Sequence, residues 1–194
     1  VELPGKIESK EILDKYGLIE GNYMLAVGRF VPEKGFDYLI DAFCMLKNSN
    51  WKLVIAGDAD HEDNYSRSVK RKAKLKNNIV LTGFIIGKPL LELFSNTGVF
   101  IIPSYYEGLP IAMLEAASYG LPVLASDIQA NKSVNLPVCK YFSCGNTKDL
   151  SEKMKEMMQT NYSEKEKSKQ IEFVKLNYNW DKIAAVSYTH LTLP

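Results

Sequence analysis

The chain has 194 residues, 46% hydrophobic and 24% charged, the composition of one globular domain with a substantial core rather than of a disordered segment. With 24 basic and 23 acidic residues the formal charge is +1, so no general field draws in nucleic acid or an anionic membrane, and any anion must be held locally. No apolar run nears the roughly 18 residues of a membrane span and no signal segment opens the chain, which points to the cytoplasm.

The chain starts at Val1 rather than Met and reads as a fragment of a longer protein. A first strand, buried on both faces, is expected over Tyr23–Val27. The loop after it reads Gly28-Arg29-Phe30-Val31-Pro32-Glu33-Lys34-Gly35. Arg29 offers a planar fork of donors, Lys34 a mobile point charge, and the helix expected to follow adds exposed N–H groups and a positive dipole end. Such a loop can grip a diphosphate, though taken alone it better suits a turn with two surface cations, and its position after a buried strand narrows that difference. It lacks the glycine spacing of a dinucleotide fingerprint or a P-loop.

Phe36, Leu39, Ile40, Phe43 and Leu46 then recur at helical spacing, with Cys44 expected on that apolar face. With Cys139 and Cys144 it makes an odd set without metal-ligand spacing, expected as reduced thiols. Further strands are expected over 51–56, 78–81, 99–102 and 122–125. Asp58-Ala59-Asp60 follows the first of these and resembles a divalent-metal motif, but turn chemistry accounts for it and no metal is expected. Strands alternating with helices imply right-handed crossovers, a mostly parallel sheet flanked by helices, and ligands beyond the strands' carboxyl ends.

After the fourth strand comes Pro103-Ser104-Tyr105-Tyr106-Glu107-Gly108-Leu109-Pro110-Ile111-Ala112-Met113-Leu114-Glu115. A helix beginning near Pro110 leaves Glu107 before it and carries Glu115 in its second turn, while Gly108 allows an unusual backbone angle. Spaced carboxylates that accept from neighbouring hydroxyls suit a nucleotide sugar, and helix N–H groups between them suit its phosphates. A glycosidase pair would leave the cationic loop without a purpose, and the two histidines, His61 just after the Asp58-Ala59-Asp60 turn and His190 in the C-terminal tail, leave no His-based triad or metal cluster to assemble.

From Lys148 the chain turns helical, with Leu150, Met154, Met157 and Met158 as a core stripe and a charged, solvated run over 164–169. An amphipathic stretch is expected over 180–186, and 187–194 reads as an irregular, non-native tail. Residues 1–186 therefore count as one domain.

Three groups of residues carry a family resemblance: Gly28-Arg29-x4-Lys34-Gly35, then Pro103-Ser104-x2-Glu107-Gly108-x-Pro110-x4-Glu115-Ala116, then Gly120-x-Pro122-Val123-x-Ala125-Ser126-Asp127. In this order the chain resembles the family 4 retaining glycosyltransferases. The resemblance implies the C-terminal, donor-binding half of a GT-B fold, the N-terminal acceptor half being absent. It implies a catalytic set of Arg29 and Lys34 on the donor diphosphate and Glu107 on the transferred sugar, with Glu115 on the ribose. Gly28, Gly108, Leu109, Pro110 and Ile111 would line the pocket, and the Phe84-Ile85 backbone would lie against the base. It implies hexose transfer with retention from a UDP- or GDP-type nucleoside diphosphate sugar to a carbohydrate or lipid-linked acceptor. No cofactor or metal is needed, and peripheral membrane association would belong only to the full-length enzyme. A noncatalytic module that binds a nucleotide or sugar is the alternative. The loop after Asp127, Ile128-Gln129-Ala130-Asn131, departs from the two glycines of many relatives.

Overall fold

Apolar strands without period-two alternation need cover on both faces, and the chain provides it by returning a helix after nearly every strand. In the computed structural model, which describes residues 7, 9–47 and 50–178, α1 (Glu11–Tyr16) precedes β1 (Tyr23–Val27), α2 (Phe36–Cys44), β2 (Lys52–Ala56), α3 (Asn64–Lys74) and β3 (Ile79–Leu81). Then come α4 (Lys88–Asn96), β4 (Val99–Ile102), α5 (Ile111–Ser118), β5 (Val123–Ser126), α6 (Gln129–Val134), β6 (Cys139–Phe142), α7 (Thr147–Gln159) and α8 (Glu164–Asn177).

The strands form one parallel sheet in the order β3-β2-β1-β4-β5-β6. The chain runs outward from β1 to β3 and returns to pair β4 with β1, Met24 facing Val99 and Leu25 facing Phe100. The order thus reverses between β1 and β4, and the crevice at such a reversal is where open α/β sheets take their ligands. The Rossmann-like α/β class expected from the sequence is the observed one.

Successive β1 residues serve opposite cores, as the pleat requires. Tyr23 and Leu25 pack with Phe94, Phe100 and Met113, while Met24 and Ala26 pack with Phe36, Leu39, Phe43, Leu150 and Met154. Each such buried Leu, Met or Phe side chain stabilises the fold by about 1.5–3 kcal/mol. α8 starts on a capping box of Ser163 and Glu166 and is pinned to the sheet by Gln170, whose side chain accepts from Val138 N–H at 2.7 Å and donates to the Leu121 carbonyl.

Three expectations change. A sixth strand, β6, lies at an edge, where Cys139, Lys140 and Tyr141 are only half-buried and the run lacks a continuous apolar signal. Cys44 is exposed because α2 ends there and turns it off the apolar stripe; all three cysteines are free. Gly108 does not adopt a positive φ, and a β-carbon there would meet nothing within 4 Å, so an unusual backbone angle is not its purpose. The stretches 180–186 and 187–194 lie outside the described residues. Among the described residues no helix is long and apolar enough to cross a membrane.

Candidate functional site

The loops after β1 and β4 are held against each other by backbone contacts that few other residues would allow. Tyr105 N–H donates to the Glu33 carbonyl at 2.8 Å, and the Tyr38 hydroxyl donates to the Pro103 carbonyl. Gly35 stands between them at φ 65°, where a β-carbon would collide with the Pro103 carbonyl oxygen. On the other side the Gly28 carbonyl leaves no room for a side chain at Gly57 (φ 140°), whose N–H donates to the Gly83 carbonyl at 3.0 Å.

Between the two stapled loops opens a cleft of about 360 Å³. Gly28, Arg29 and Lys34 line one side; Glu107, Gly108, Leu109, Pro110, Ile111 and Glu115 line the other. All of these were singled out in the sequence, and the fold converges them from segments about 75 residues apart. Phe84 and Ile85 are not brought into the lining: Phe84 is exposed on the next loop, and Ile85 packs on the core. The wall at that end is Leu90 of α4, which no local motif marks.

Each cation already has a partner. Lys34 Nζ lies 2.7 Å from Glu107 Oε1, with the Glu107 side chain 9% exposed. Glu107 Oε1 also accepts from the Ser104 hydroxyl at 2.5 Å. Arg29 Nη1 lies 3.1 Å from Asp60 Oδ2, both side chains more than half exposed. Asp58 pairs at 2.8 Å with Lys70 of α3, so both carboxylates of the Asp58-Ala59-Asp60 turn are neutralised by cations. Ser104 and Asp60 both stand in stretches quoted from the sequence, but their partners lie in space, not in a motif.

The dipole that faces the cleft comes from α5 rather than α2. The first N–H of α2, on Phe36, is taken by the Tyr65 hydroxyl at 2.9 Å; α5 begins at the cleft without a side-chain cap, its Ile111 and Met113 N–H groups donating to the Leu109 and Pro110 carbonyls and its Ala112 N–H unbonded to a described residue. The Glu115 carboxyl, one turn into α5, has no hydrogen bond or ion pair to a described residue, and burial pushes it up to about 7. The arrangement therefore offers two cations and an uncapped helix end for an anion, beside two carboxylates able to accept from hydroxyls.

A larger hollow of about 750 Å³ opens at the strands' opposite ends, near Asn22, Gly98 and Pro122. Lys167 is the one cation among its described lining residues, and it lies away from the topological switch point. The cleft at the switch is the better candidate.

Comparison with known proteins identifies the family and the fold. The family described as "Glycosyl transferases group 1" matches residues 8–175, and the chain belongs to it. It is 39% identical over 106 residues to an uncharacterized glycosyltransferase of Methanocaldococcus jannaschii, covering 54% of this chain and 27% of that protein. It is 32% identical over 109 residues to the UDP-Gal:alpha-D-GlcNAc-diphosphoundecaprenol alpha-1,3-galactosyltransferase of Escherichia coli, covering 54% and 28%. The crystal structure of Anabaena HepE in complex with UDP-glucose superposes with a TM-score of 0.76 at 17% identity, covering 95% of this chain and 52% of that one. The fold is thus the Rossmann-like fold of GT-B glycosyltransferases, and the chain spans less than a third of the length of these curated relatives.

Proposed function

We propose that the cleft binds a nucleoside diphosphate sugar, and that the chain is the donor half of a hexosyltransferase that retains anomeric configuration and needs no metal. The observation that carries this reading is the convergence of Arg29, Lys34 and the uncapped start of α5 on the same small cleft as Glu107 and Glu115. A diphosphate meets the cations and the helix end; Glu107 Oε2 and the Glu115 carboxyl, neither bonded to a described residue, are left to accept from the sugar and ribose hydroxyls.

As the bond between sugar and phosphate breaks, negative charge grows on the departing diphosphate. Arg29, Lys34 and the positive end of α5 are preorganised to stabilise that charge, the work a divalent cation does elsewhere. Glu107 holds the sugar rather than attacking it. A carbohydrate or lipid-linked acceptor would be bound by residues outside this chain. In support, the Escherichia coli relative is named for a UDP-galactose donor and a diphosphoundecaprenol acceptor, and the HepE structure contains UDP-glucose.

Titration with UDP-, GDP- and ADP-sugars, followed through backbone amides, is expected to shift Gly28 and Gly108 with at least one nucleotide; no response to any of them overturns the reading. Glu107→Ala is expected to weaken binding of the nucleotide sugar by about tenfold while sparing the free nucleoside diphosphate. Equal losses of both would remove Glu107 from the sugar.

A further inference from the structure

Glu107 stands on an irregular loop, and two contacts hold its carboxylate: Lys34 and the Ser104 hydroxyl, both on Oε1. If the proposed function holds, a bound diphosphate competes for Lys34, and Ser104 becomes the remaining anchor. How Ser104 is itself fixed then decides how well Glu107 keeps its position.

Ser104 is wholly buried, and its carbonyl accepts from the Ser126 hydroxyl at 2.6 Å. Ser126, at the end of β5 and also wholly buried, accepts in turn from Asn131 Nδ2 at 3.0 Å. The same Nδ2 donates to the Ser126 carbonyl at 3.0 Å, so both atoms of the serine that face Asn131 are engaged. The Asn131 carbonyl accepts from the Tyr141 hydroxyl at 3.3 Å, tying this end to β6.

A continuous polar rail thus runs from α6 under the sheet's edge to the cleft, through side chains with no exposed surface. None of Ser104, Ser126 and Asn131 lines the cleft. Asn131 Oδ1 is buried and unpartnered, which costs about 1–3 kcal/mol. The amide donor that holds both Ser126 atoms brings this idle oxygen with it.

We propose that Ser104, Ser126 and Asn131 are positioning residues for Glu107, a rail that fixes its carboxylate while the donor's diphosphate draws Lys34 away. Ser104 acts by direct contact, and Ser126 and Asn131 act by fixing the Ser104 backbone. The inference rests on the donor-binding reading of the cleft.

The test measures affinity for a nucleotide sugar and for the matching free nucleoside diphosphate on the same protein, with unfolding followed in parallel. Ser104→Ala is expected to weaken the nucleotide sugar by about fivefold to tenfold and the free diphosphate by less than about twofold. Ser104→Cys, which keeps a weak donor of similar size, is expected to recover part of the loss. Asn131→Ala, three residues along the rail from Glu107, is expected to give the same selective loss at about threefold, and it serves where Ser104→Ala does not fold. A purely structural role would lower stability and weaken both ligands alike, or neither, and either result overturns the rail. Wild-type protein that binds no nucleotide overturns the donor reading and the rail together. Wild-type binding that Glu107→Ala weakens selectively, while Ser104→Ala and Asn131→Ala leave it intact, overturns the rail alone.

Discussion

The floor and the rim of the cleft each carry one ion pair, and the two pairs answer to different physics. On the floor, Lys34 meets a Glu107 side chain that is 9% exposed; on the rim, Arg29 meets Asp60 with both side chains more than half in water. Removing one partner of a largely buried pair leaves a charge that has lost its solvent and its counterion, whereas an exposed pair falls back on water. Glu115 shows what the floor would look like without its cation: no described residue pairs with its carboxyl, which is pushed up to about 7. One wall therefore teaches both outcomes for a buried acid, paired and unpaired.

The largest effect should follow from breaking the floor. Lys34→Ala is expected to reduce nucleoside diphosphate affinity by about 1–3 kcal/mol and to destabilise the protein by a similar amount, because Glu107 then keeps only Ser104. Arg29→Ala is expected to reduce affinity on the same scale while leaving stability within about 0.5 kcal/mol. Calorimetric titration and urea unfolding on both variants measure this directly, and equal destabilisation by the two would erase the distinction between floor and rim.

Glu115 gives the next largest effect, and its sign is fixed by the direction of the shift. The folded carboxyl titrates near 7 against an ordinary 4.5, so between those values the folded protein holds a proton that the unfolded chain has released. Stability is then greatest at or below about pH 4.5 as far as this group is concerned, and it falls as pH rises through about 7. Glu115→Gln is expected to remove about 1–3 kcal/mol of that decline between pH 5 and 8, making the variant the more stable protein at pH 8. It should also bind the nucleotide sugar less well, which is the trade expected of a carboxyl kept for a ligand rather than for the fold. Urea unfolding at the two pH values checks the first part; parallel pH profiles in variant and wild type would show that burial of Glu115 is not what sets it.

Much of this contrast was written in local sequence, and the remainder was not for identifiable reasons. The four inner strands announced themselves because burial on both faces leaves apolar runs, and the edge strand β3 did so through its short Ile79-Val80-Leu81 run; β6 did not, because it carries Lys140 in its middle. The spacing from Glu107 to Glu115 placed one acid before α5 and the other in its second turn, as found. The partners of these residues were hidden: Asp60 lies 31 residues from Arg29, and Lys34 lies 73 from Glu107. A motif names the residues that a ligand selects, and only the fold shows which of them neutralise each other before it arrives. Nor could spacing reveal that the Tyr65 hydroxyl occupies the start of α2, leaving the helix dipole at the cleft to α5.

The smallest effect tests the rim from its other side. In the free protein Asp60 occupies Arg29 at 3.1 Å, so an arriving diphosphate must displace one carboxylate before it gains the guanidinium. An exposed pair of this kind holds on by only about 0.2–1 kcal/mol. Asp60→Asn is therefore expected to raise nucleoside diphosphate affinity by roughly twofold to fivefold at low salt. The gain should shrink as ionic strength rises and the competing charges are screened. The corresponding change on the floor, Glu107→Gln, cannot behave this way: freeing Lys34 there also alters the acid that holds the sugar, so any gain for the free diphosphate comes with a loss for the nucleotide sugar. A rim carboxylate that only competes and a floor carboxylate that competes and then binds are separated by measuring both ligands on both variants. If Asp60→Asn instead weakened the diphosphate, Asp60 would be orienting Arg29 rather than occupying it, and the rim pair would be a working part of the clamp.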